Sequence, residues 1–563
     1  MLTGKKDQRL FPEVWGGLEC TLNRIGDKFR DQLLYTGHYS RDTDIDLFAG
    51  LGIKALRYPV LWERHQCRRN GHIDWRFASH RLDAIRKHGI TPVVGLVHHG
   101  SGPAFTNLAD KNFAPYLAEY ARQVARQFPW VQYYTPVNEP LTTARFSGLY
   151  GHWYPHHRDT QSFITMLLHQ LKGVVMAMKA IREINPAAQL VQTEDLAKVH
   201  STPLLAYQAV FENERRWLTY DLLCGKVDKN HYLWNYLVAA GIQEADILYF
   251  RENPCSPGIM GLNYYITSER FLDENVARYP VYQHGGNDFH QYADTEMVRA
   301  GQLSGVSALL KEAWHRYQLP LALTEVHLSC TREEQMRWWH QVWQDACKAK
   351  DEGVDVKAVT AWSLLGSYDW NSLLTEYKYQ YDTGVFAIAN NRIRPTSTAR
   401  LIQSIATYGY YTHPLLHSRA WWQRDTRFLY STTENETIHD AAAAPVLIVA
   451  ENTRLCSAYT EICAARGIYC IVAAETKNAI TKYNPWAIIT ANRHIKLENL
   501  HRQSFCYLTN DVAGVGNCLL NIVHASLDLL TDGETGAWHF DGKALVPGAN
   551  EGLINHLSEK TLL

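Results

Sequence analysis

The sequence predicts a two-domain α/β protein, in which a (β/α)8 TIM barrel precedes a smaller Rossmann-like α/β domain. Three observations predict it. The chain has 563 residues, which is more than one ordinary hydrophobic core holds. From about residue 10 to 415, short apolar runs alternate with amphipathic helical stretches. After a polar stretch, a new strand–helix pattern begins at Pro445. We therefore expect a barrel in 1–415, a linker in 416–444 and the second domain in 445–563.

The barrel prediction comes from eight apolar runs of strand length, separated by helical stretches. The predicted strands are 14–17, 53–58, 91–97, 132–137, 189–193, 259–263, 321–324 and 359–363. Active sites of such barrels lie at the carboxyl ends of the strands. Chemistry-bearing residues directly after these runs are therefore the candidates for function.

The second domain is predicted from a change of pattern after the barrel. Small polar residues in 431–437 and four alanines in 441–444 mark a linker. The run 445–450 is typical of a buried strand, and the helix-like stretch 455–466 and two further strand-like runs, 468–473 and 486–490, follow it. This order is typical of a doubly wound parallel sheet.

Composition and charge exclude several classes of function. The formal net charge is −1, which gives no electrostatic basis for binding nucleic acid or an anionic membrane surface. The sequence shows no uninterrupted apolar run of membrane-spanning length and no secretory h-region behind Lys5 and Lys6. Eleven scattered cysteines fit reduced thiols. We expect a cytoplasmic protein without a nucleic-acid or membrane partner.

Two glutamates follow strand-like runs and are the strongest candidates for catalysis. Glu139 closes the segment 133–139, and Glu325 follows the run 321–324. In a barrel, both carboxyl groups would lie at the same face. Cleavage of a glycosidic bond needs such a pair, with one acid to protonate the leaving oxygen and one carboxylate to attack or to activate water.

Four motifs in matching order carry a resemblance to a known family. They are Asn138-Glu139-Pro140, Gly261-Leu262-Asn263-Tyr264-Tyr265, Thr324-Glu325 and Trp362-Ser363-Leu364-Leu365. With these motifs, residues 10–410 resemble the family 1 glycoside hydrolases, which are retaining β-glycosidases. The resemblance implies a small-molecule glycoside or oligosaccharide as substrate.

The resemblance implies a role for each matching residue. Glu325 corresponds to the nucleophile and Glu139 to the acid/base, and the Asn138 side chain would donate to the 2-hydroxyl of the sugar. Arg57 and Tyr265 are the candidates that keep Glu325 ionised. The remaining predicted substrate contacts of this group are Asn263, Trp362 and His98.

The predicted sugar pocket departs from the family pattern at three loops. The loop His98-His99-Gly100 lacks the Trp and Asp of the family's His-Trp-Asp segment. The first loop offers Glu19 and Asn23 where the family has a Gln, and Asp369, before Trp370, stands where it has a Glu. Such pockets discriminate by pairing polar groups, so we leave the glycone open.

The segment 445–563 resembles a truncated dTDP-4-dehydrorhamnose reductase, through its first strand and helix and through 484–489 and 529–539. The glycine-rich turn that holds a dinucleotide is replaced by Ala450-Glu451-Asn452-Thr453. We therefore expect no cofactor, and instead packing on the barrel or homo-oligomer formation. The sequence has no HExxH or Cys/His cluster, so we expect no metal site.

Three alternatives stay open from the sequence. A transglycosidase would use the same two carboxyl groups but exclude water. A non-hydrolytic carbohydrate-binding scaffold would keep the fold, although both glutamates argue against it. A bifunctional oxidoreductase would need the glycines that the second domain lacks.

Overall fold

The computed structural model describes residues 11–389, 392–428, 443–474, 476–491, 504–508, 519–534, 536–540 and 545–547. The chain divides into two compact units. The first runs to His327 and also contains Gln341–Arg394 and Ile402–Gly409. The second contains Leu328–His340, Pro395–Leu401 and the chain from Tyr410 onward.

Eight parallel strands form a closed barrel in the first unit, and this confirms the predicted barrel. In chain order the strands are Glu13–Gly17, Ala55–Pro59, Thr91–Gly95, Tyr133–Thr135, Gln189–Asp195, Ile259–Tyr265, Leu321–His327 and Val356–Ala361. Each strand pairs with its neighbours in sequence, and the eighth pairs with the first. Each of the eight predicted runs overlaps one of these strands.

The strands hold together around a filled interior rather than a pore. One buried side chain from each of seven strands packs in a single cluster, and Tyr133 of the remaining strand packs against it. The seven are Trp15, Ala55, Val93, Val191, Ile259, Ala322 and Ala358. Most of the barrel strand residues are buried, as in a parallel sheet covered by helices.

Helices alternate with the strands along the chain. The longer ones are Arg76–Lys87, Phe113–Gln127, Thr160–Arg182, Ala206–Arg215, Glu244–Glu252, Val306–Tyr317, Arg332–Asp351 and Ser397–Tyr408. Shorter ones are Gln32–Tyr35, Asp44–Ala49, Trp62–His65, Pro140–Ala144, Leu218–Leu223, Trp234–Ala239 and Met297–Ala300. Among the described helices, Thr160–Arg182 alone has the length and apolar content of a membrane span, and 72% of that window is buried. A core helix gives the same signal.

Insertions after several barrel strands build up the carboxyl-end face, where the candidate residues lie. Two short hairpins pair Leu22–Ile25 with Lys28–Asp31 and Ser367–Tyr368 with Tyr381–Asp382. A four-stranded sheet follows strands five and six. It contains Lys198–Ser201, Glu269–Asp273, His284–Gly286 and Gln291–Glu296. A further strand pair is Phe386–Ala389 with Arg392–Pro395.

The second unit contains a six-stranded sheet with strands at the three predicted places. Its strands are Val446–Val449, Cys470–Val472, Ala487–Thr490, Ser504–Leu508, Gly536–Phe540 and Leu545–Pro547. The order in space is second, first, third, fourth, fifth, sixth, and only the last pair is antiparallel. The helices are Thr453–Arg466, Thr476–Tyr483 and Leu519–Thr531. Predicted features in 431–437 and 441–442 lie outside the described residues.

A buried ion network lies inside this second unit. The Arg466 guanidinium donates from Nε to Glu333 Oε1 at 2.8 Å and from Nη2 to Asp528 Oδ1 at 2.7 Å. The Glu333 side chain is fully buried, and the charge of Arg466 holds the pKa of that carboxyl below its usual value against the opposing effect of burial. Arg466 therefore neutralises a carboxylate that has no access to water.

Candidate active site

The two candidate carboxyl groups lie at the carboxyl ends of barrel strands four and seven. Glu139 and Glu325 are 5% and 2% exposed. Glu139 has a left-handed backbone, with φ 43° and ψ 61°, and it occupies the N-cap position of the helix Pro140–Ala144. The Asn263 amide links the pair, because it donates to Glu139 Oε1 at 2.6 Å and also hydrogen-bonds to Glu325.

Glu325 is surrounded by groups that favour its ionised form. Arg57 Nη1 donates to Oε1 at 2.9 Å, and the Tyr265 hydroxyl donates to Oε2 at 2.6 Å. Burial outweighs the other causes and raises the pKa of Glu325 above its usual value, while Arg57, Tyr265 and Asn263 each limit that rise. The predicted roles of Arg57 and Tyr265 as partners of Glu325 agree with these contacts.

Glu139 has a different environment, which favours its protonated form. Burial is the largest cause that raises its pKa well above the usual value, and the charge of Glu325 is the second. Glu194 and Asp195 add negative charge, and only the Asn263 amide acts in the opposite direction among the main causes. No arginine contacts Glu139 among the described residues. The surroundings thus favour protonation of Glu139 more strongly than protonation of Glu325.

Arg57 and Asn138 form the polar network between the carboxyl groups. Arg57 Nη2 donates to Asn138 Oδ1 at 2.7 Å, and Thr193 Oγ1 donates to the same oxygen at 2.8 Å. With its oxygen occupied by these two donors, Asn138 keeps its Nδ2 group on the side of His98, whose Nε2 lies 3.3 Å away. This orientation presents an amide donor, as the sequence predicted for Asn138.

The rings of Trp362 and His98 lie beside this network. The two rings stack with centroids 5.6 Å apart and an interplanar angle of 13°. The Arg57 guanidinium lies 4.6 Å from the Trp362 ring centroid on one side. Burial lowers the pKa of His98 well below its usual value, so its imidazole is neutral. A cavity of about 20 Å³, lined by Arg57, His98, Asn138 and Trp362 among others, has room for about one water molecule.

His99 contacts the acid/base directly, which the sequence analysis did not foresee. Its Nε2 lies 3.5 Å from Glu139 Oε2, and its Nδ1 lies 2.9 Å from Thr143 Oγ1. Burial, and then the charge of Arg57, lower the pKa of His99 to about 3. The ring packs against Trp153 and Trp370, at centroid distances of 5.2 and 5.6 Å. His99 is thus a neutral imidazole next to the Glu139 carboxyl group.

The two candidates of the first loop are both buried at this face. The Glu19 Oε1 atom accepts from the Thr21 amide at 2.9 Å and lies 3.9 Å from His98 Nε2. Burial and the charge of Glu325 raise the pKa of Glu19 to about 7. The Asn23 side chain is fully buried, and its amide oxygen and nitrogen have no hydrogen-bond partner in the described part of the chain. The predicted contact of Asn23 with a substrate stays a prediction.

Asp369 and Trp370 lie in the loop after the eighth strand. The Asp369 carboxylate accepts from the backbone amides of Lys378, Tyr379 and Gln380, at 3.3, 3.2 and 2.8 Å. Asp369 thus orders its own loop, and its predicted contact with a sugar hydroxyl stays a prediction. Trp370 is partly buried, and its indole N–H has no partner among the described residues.

A carboxyl group occupies the room beside Gly100. Glu63 Oε1 accepts from the Gly102 amide at 3.0 Å, and a Cβ atom placed on Gly100 would lie 2.0 Å from the same oxygen. Burial raises the pKa of Glu63 to about 7. The absence of a side chain at position 100 could be seen in the sequence, but no motif indicated that the Glu63 carboxyl group lies in its place.

The arrangement is suited to proton transfer and nucleophilic attack by the two carboxyl groups. Within the described residues, no group of three His, Cys, Asp or Glu side chains is arranged to hold a metal ion. Glu139 can give a proton to a leaving group, and Glu325 can attack an electrophilic carbon. Glu194 and Thr193 were not among the predicted site residues, because neither belongs to one of the sequence motifs.

Comparison with known proteins places the barrel in one family. The family model "Glycosyl hydrolase family 1" matches residues 27–406. "Beta-glucosidase A" of Thermotoga maritima is 30% identical over 155 residues, which are 26% of this chain and 34% of that protein. The chain thus spans about a third of that relative's length. "Aryl-phospho-beta-D-glucosidase BglH" of Bacillus subtilis is 24% identical over 406 residues, which are 65% of this chain and 84% of that protein.

Solved structures share the barrel fold. The family 1 β-glucosidase of Thermotoga maritima, in complex with isofagomine lactam, superposes with a TM-score of 0.58 at 17% identity. This match covers 72% of the present chain and 99% of the other. A second structure of a β-glucosidase from that organism, in complex with cyclophellitol, has a TM-score of 0.57 at 19% identity.

Proposed function

Because the chain belongs to glycosyl hydrolase family 1, we propose that it is a retaining β-glycosidase, with Glu325 as nucleophile and Glu139 as acid/base. The observation that carries the proposal is the unequal environment of the two buried carboxyl groups. Arg57 and Tyr265 donate to Glu325, whereas Glu139 receives one amide donor and the repulsion of three other carboxyl groups. A double displacement needs this division between an ionised and a protonated group.

The proposed reaction has two steps, and each uses both carboxyl groups. In the first, Glu325 attacks the anomeric carbon, and Glu139 transfers its proton to the leaving oxygen as that bond breaks. In the second, Glu139 takes a proton from water, and the water oxygen displaces Glu325 with net retention of configuration. The Asn138 amide, oriented by Arg57 and Thr193, donates to the 2-hydroxyl during both steps.

The substrate is a small-molecule β-glycoside or oligosaccharide. The two relatives described above have names that specify β-glucosides and aryl-phospho-β-D-glucosides, so these are the first glycones to test. Glu19, Asn23 and the neutral His98 offer both donors and acceptors to sugar hydroxyls. Trp362 is buried with His98 stacked on its ring, and its predicted contact with the sugar stays a prediction.

The test is a panel of aryl β-glycosides, including the phosphorylated forms, assayed with the wild type and with Glu325→Gln. We expect turnover of at least one glycone, a loss of about 10⁴-fold or more in Glu325→Gln, and retention of anomeric configuration in the first product formed. Glu333→Gln is a matched control, because Glu333 is a fully buried carboxylate outside the catalytic face. Inversion at the anomeric carbon, or equal activity of the wild type and Glu325→Gln, would contradict the assignment.

For the second unit we propose a degenerate, Rossmann-like domain related to dTDP-4-dehydrorhamnose reductases, without a cofactor. The order of its parallel strands supports this, because the first strand lies between the second and the third, as in a doubly wound sheet. The turn after the first strand, Ala450–Asn452, lacks the glycines that let a pyrophosphate approach the backbone. We propose a cytoplasmic protein that forms a homo-oligomer through this domain. Light scattering of the full chain tests the homo-oligomer, and titrations with NADH and NADPH test the absence of cofactor binding.

A further inference from the structure

Glu194 is a buried carboxyl group that the proposed reaction does not use, although it lies directly behind the acid/base. It belongs to the fifth barrel strand, Gln189–Asp195, and is 1% exposed. Four groups donate to it. They are Leu141 N at 2.9 Å, Thr142 N at 3.3 Å, Thr142 Oγ1 at 3.2 Å and Thr219 Oγ1 at 2.8 Å.

The two backbone donors come from the first turn of the helix that Glu139 begins. The first N–H groups of a helix have no partner within it, and the side chain of the N-cap residue usually accepts from them. Glu139 occupies the N-cap position, but its side chain accepts no such bond. Its carboxyl group instead faces Asn263 and His99.

This geometry separates two tasks that one carboxyl group cannot perform together. If Glu139 capped its own helix, its oxygens would be directed at Leu141 and Thr142 and away from a substrate. The Glu194 carboxylate, reaching across from the neighbouring strand, takes those two amides instead. We propose that Glu194 is a positioning residue for Glu139, which replaces it as the helix cap and so holds the Glu139 carboxyl toward the leaving oxygen.

Glu194 also acts on Glu139 through its charge. Burial and the charge of Glu325 are larger causes of the raised pKa of Glu139, and the charge of Glu194 follows them. The groups that face Glu139 are Glu325, Glu194, Asp195, Asn263, His99 and Tyr265. The pKa of Glu194 itself is raised by burial to about 7, so its charge acts mainly above neutral pH. Removing it lets Glu139 lose its proton at lower pH.

The proposal rests on the glycosidase function, and the test compares Glu194→Gln with the wild type on two substrates of one glycone. One substrate has a poor leaving group that needs a proton, and the other has a dinitrophenolate that leaves without one. Misplacing a catalytic group by about 1 Å costs on the order of 10²-fold. We therefore expect kcat for the poor leaving group to fall about 10–100-fold, with KM nearly unchanged. The dinitrophenyl substrate should change about threefold or less, and the alkaline limb of kcat/KM should move to lower pH.

Glu269→Gln is the matched control. Glu269 is also fully buried, and it accepts hydrogen bonds from the backbone amides of Ser304 and Gly305 at 2.8 and 3.1 Å. It lies in the four-stranded sheet outside the barrel. The control should lose stability without gaining dependence on the leaving group. If Glu194→Gln does not fold, Thr219→Val is measured instead, because it removes one donor from the same carboxylate and should show the same selective effect more weakly.

The outcomes separate this proposal from the function on which it rests. A wild type that turns over neither substrate overturns both. An active wild type whose Glu194→Gln variant loses equal activity on both substrates, or keeps its alkaline limb in place, overturns the positioning role alone. A selective loss with the shifted limb supports it.

Discussion

The hydroxyl of Tyr265 offers the most direct test of how the site keeps its nucleophile ionised. It donates to Glu325 Oε2 at 2.6 Å, and Phe at this position would remove the donor and keep the ring. A hydrogen bond to a charged group contributes about 1.5–3 kcal/mol, and one pKa unit corresponds to about 1.36 kcal/mol. Tyr265→Phe should therefore raise the pKa of Glu325 by about one to two units.

The assay is the pH dependence of kcat/KM on an aryl β-glycoside accepted by the wild type. Glu325 must be ionised to attack, so a higher pKa moves the acid limb to higher pH by the same one to two units, approximately. Well below the limb, the variant should therefore be about 10–100-fold slower than the wild type. On the plateau, where Glu325 is ionised in both the wild type and the variant, the difference should be smaller.

Tyr264→Phe is the control for this experiment. Tyr264 is the preceding residue and is fully buried, but its hydroxyl donates to Glu269 at 2.9 Å and not to Glu325. It should lower stability and leave the acid limb in place. An acid limb that does not move in Tyr265→Phe, or that moves equally in both variants, would refute the argument that the Tyr265 hydroxyl holds the charge on Glu325.

Three further predictions concern other parts of the molecule. Glu139→Gln should lower kcat for poor leaving groups by about 10²–10⁴-fold, and added azide should accelerate the dinitrophenyl substrate and give a β-glycosyl azide, which chromatography detects. Asp369→Asn should destabilise the protein by about 1–3 kcal/mol, because three backbone amides lose a charged acceptor. Thermal unfolding measures this loss, and Asp27→Asn, at an exposed position, is the control. Arg466→Met should cost about 3–5 kcal/mol in urea unfolding, because it leaves Glu333 buried without its cation, and adding Glu333→Gln should recover part of the loss.

The sequence predicted those parts of the fold and site that depend on local pattern. The eight apolar runs were sufficient to locate the barrel strands, because a parallel strand covered on both faces is apolar almost throughout. Glu139, Glu325 and Tyr265 could be identified because each ends a strand in a motif with known neighbours. The contact of Arg57 with Glu325 follows from barrel closure, which brings strands two and seven to one face.

What the sequence could not predict depends on contacts between distant segments. Glu194 has no special neighbours in sequence, and its importance comes from the amides of Leu141 and Thr142, which another strand brings to it. Asp369 was expected to face the substrate, and the fold of its loop directs three backbone amides to its carboxylate. The direction of a side chain within a loop is set by the packing of that loop, which a motif does not encode.

The pairing of Gly100 with Glu63 constrains how this loop could have changed during evolution. Any side chain at position 100 would overlap Glu63 Oε1, since even a Cβ atom would lie 2.0 Å from it. Moving from the family's Asp to the present pair therefore needs a shift of the Glu63 side chain or a change at both positions. We expect the two positions to be coupled, so a library that varies the loop 98–102 should recover larger residues at position 100 more often when position 63 varies with it.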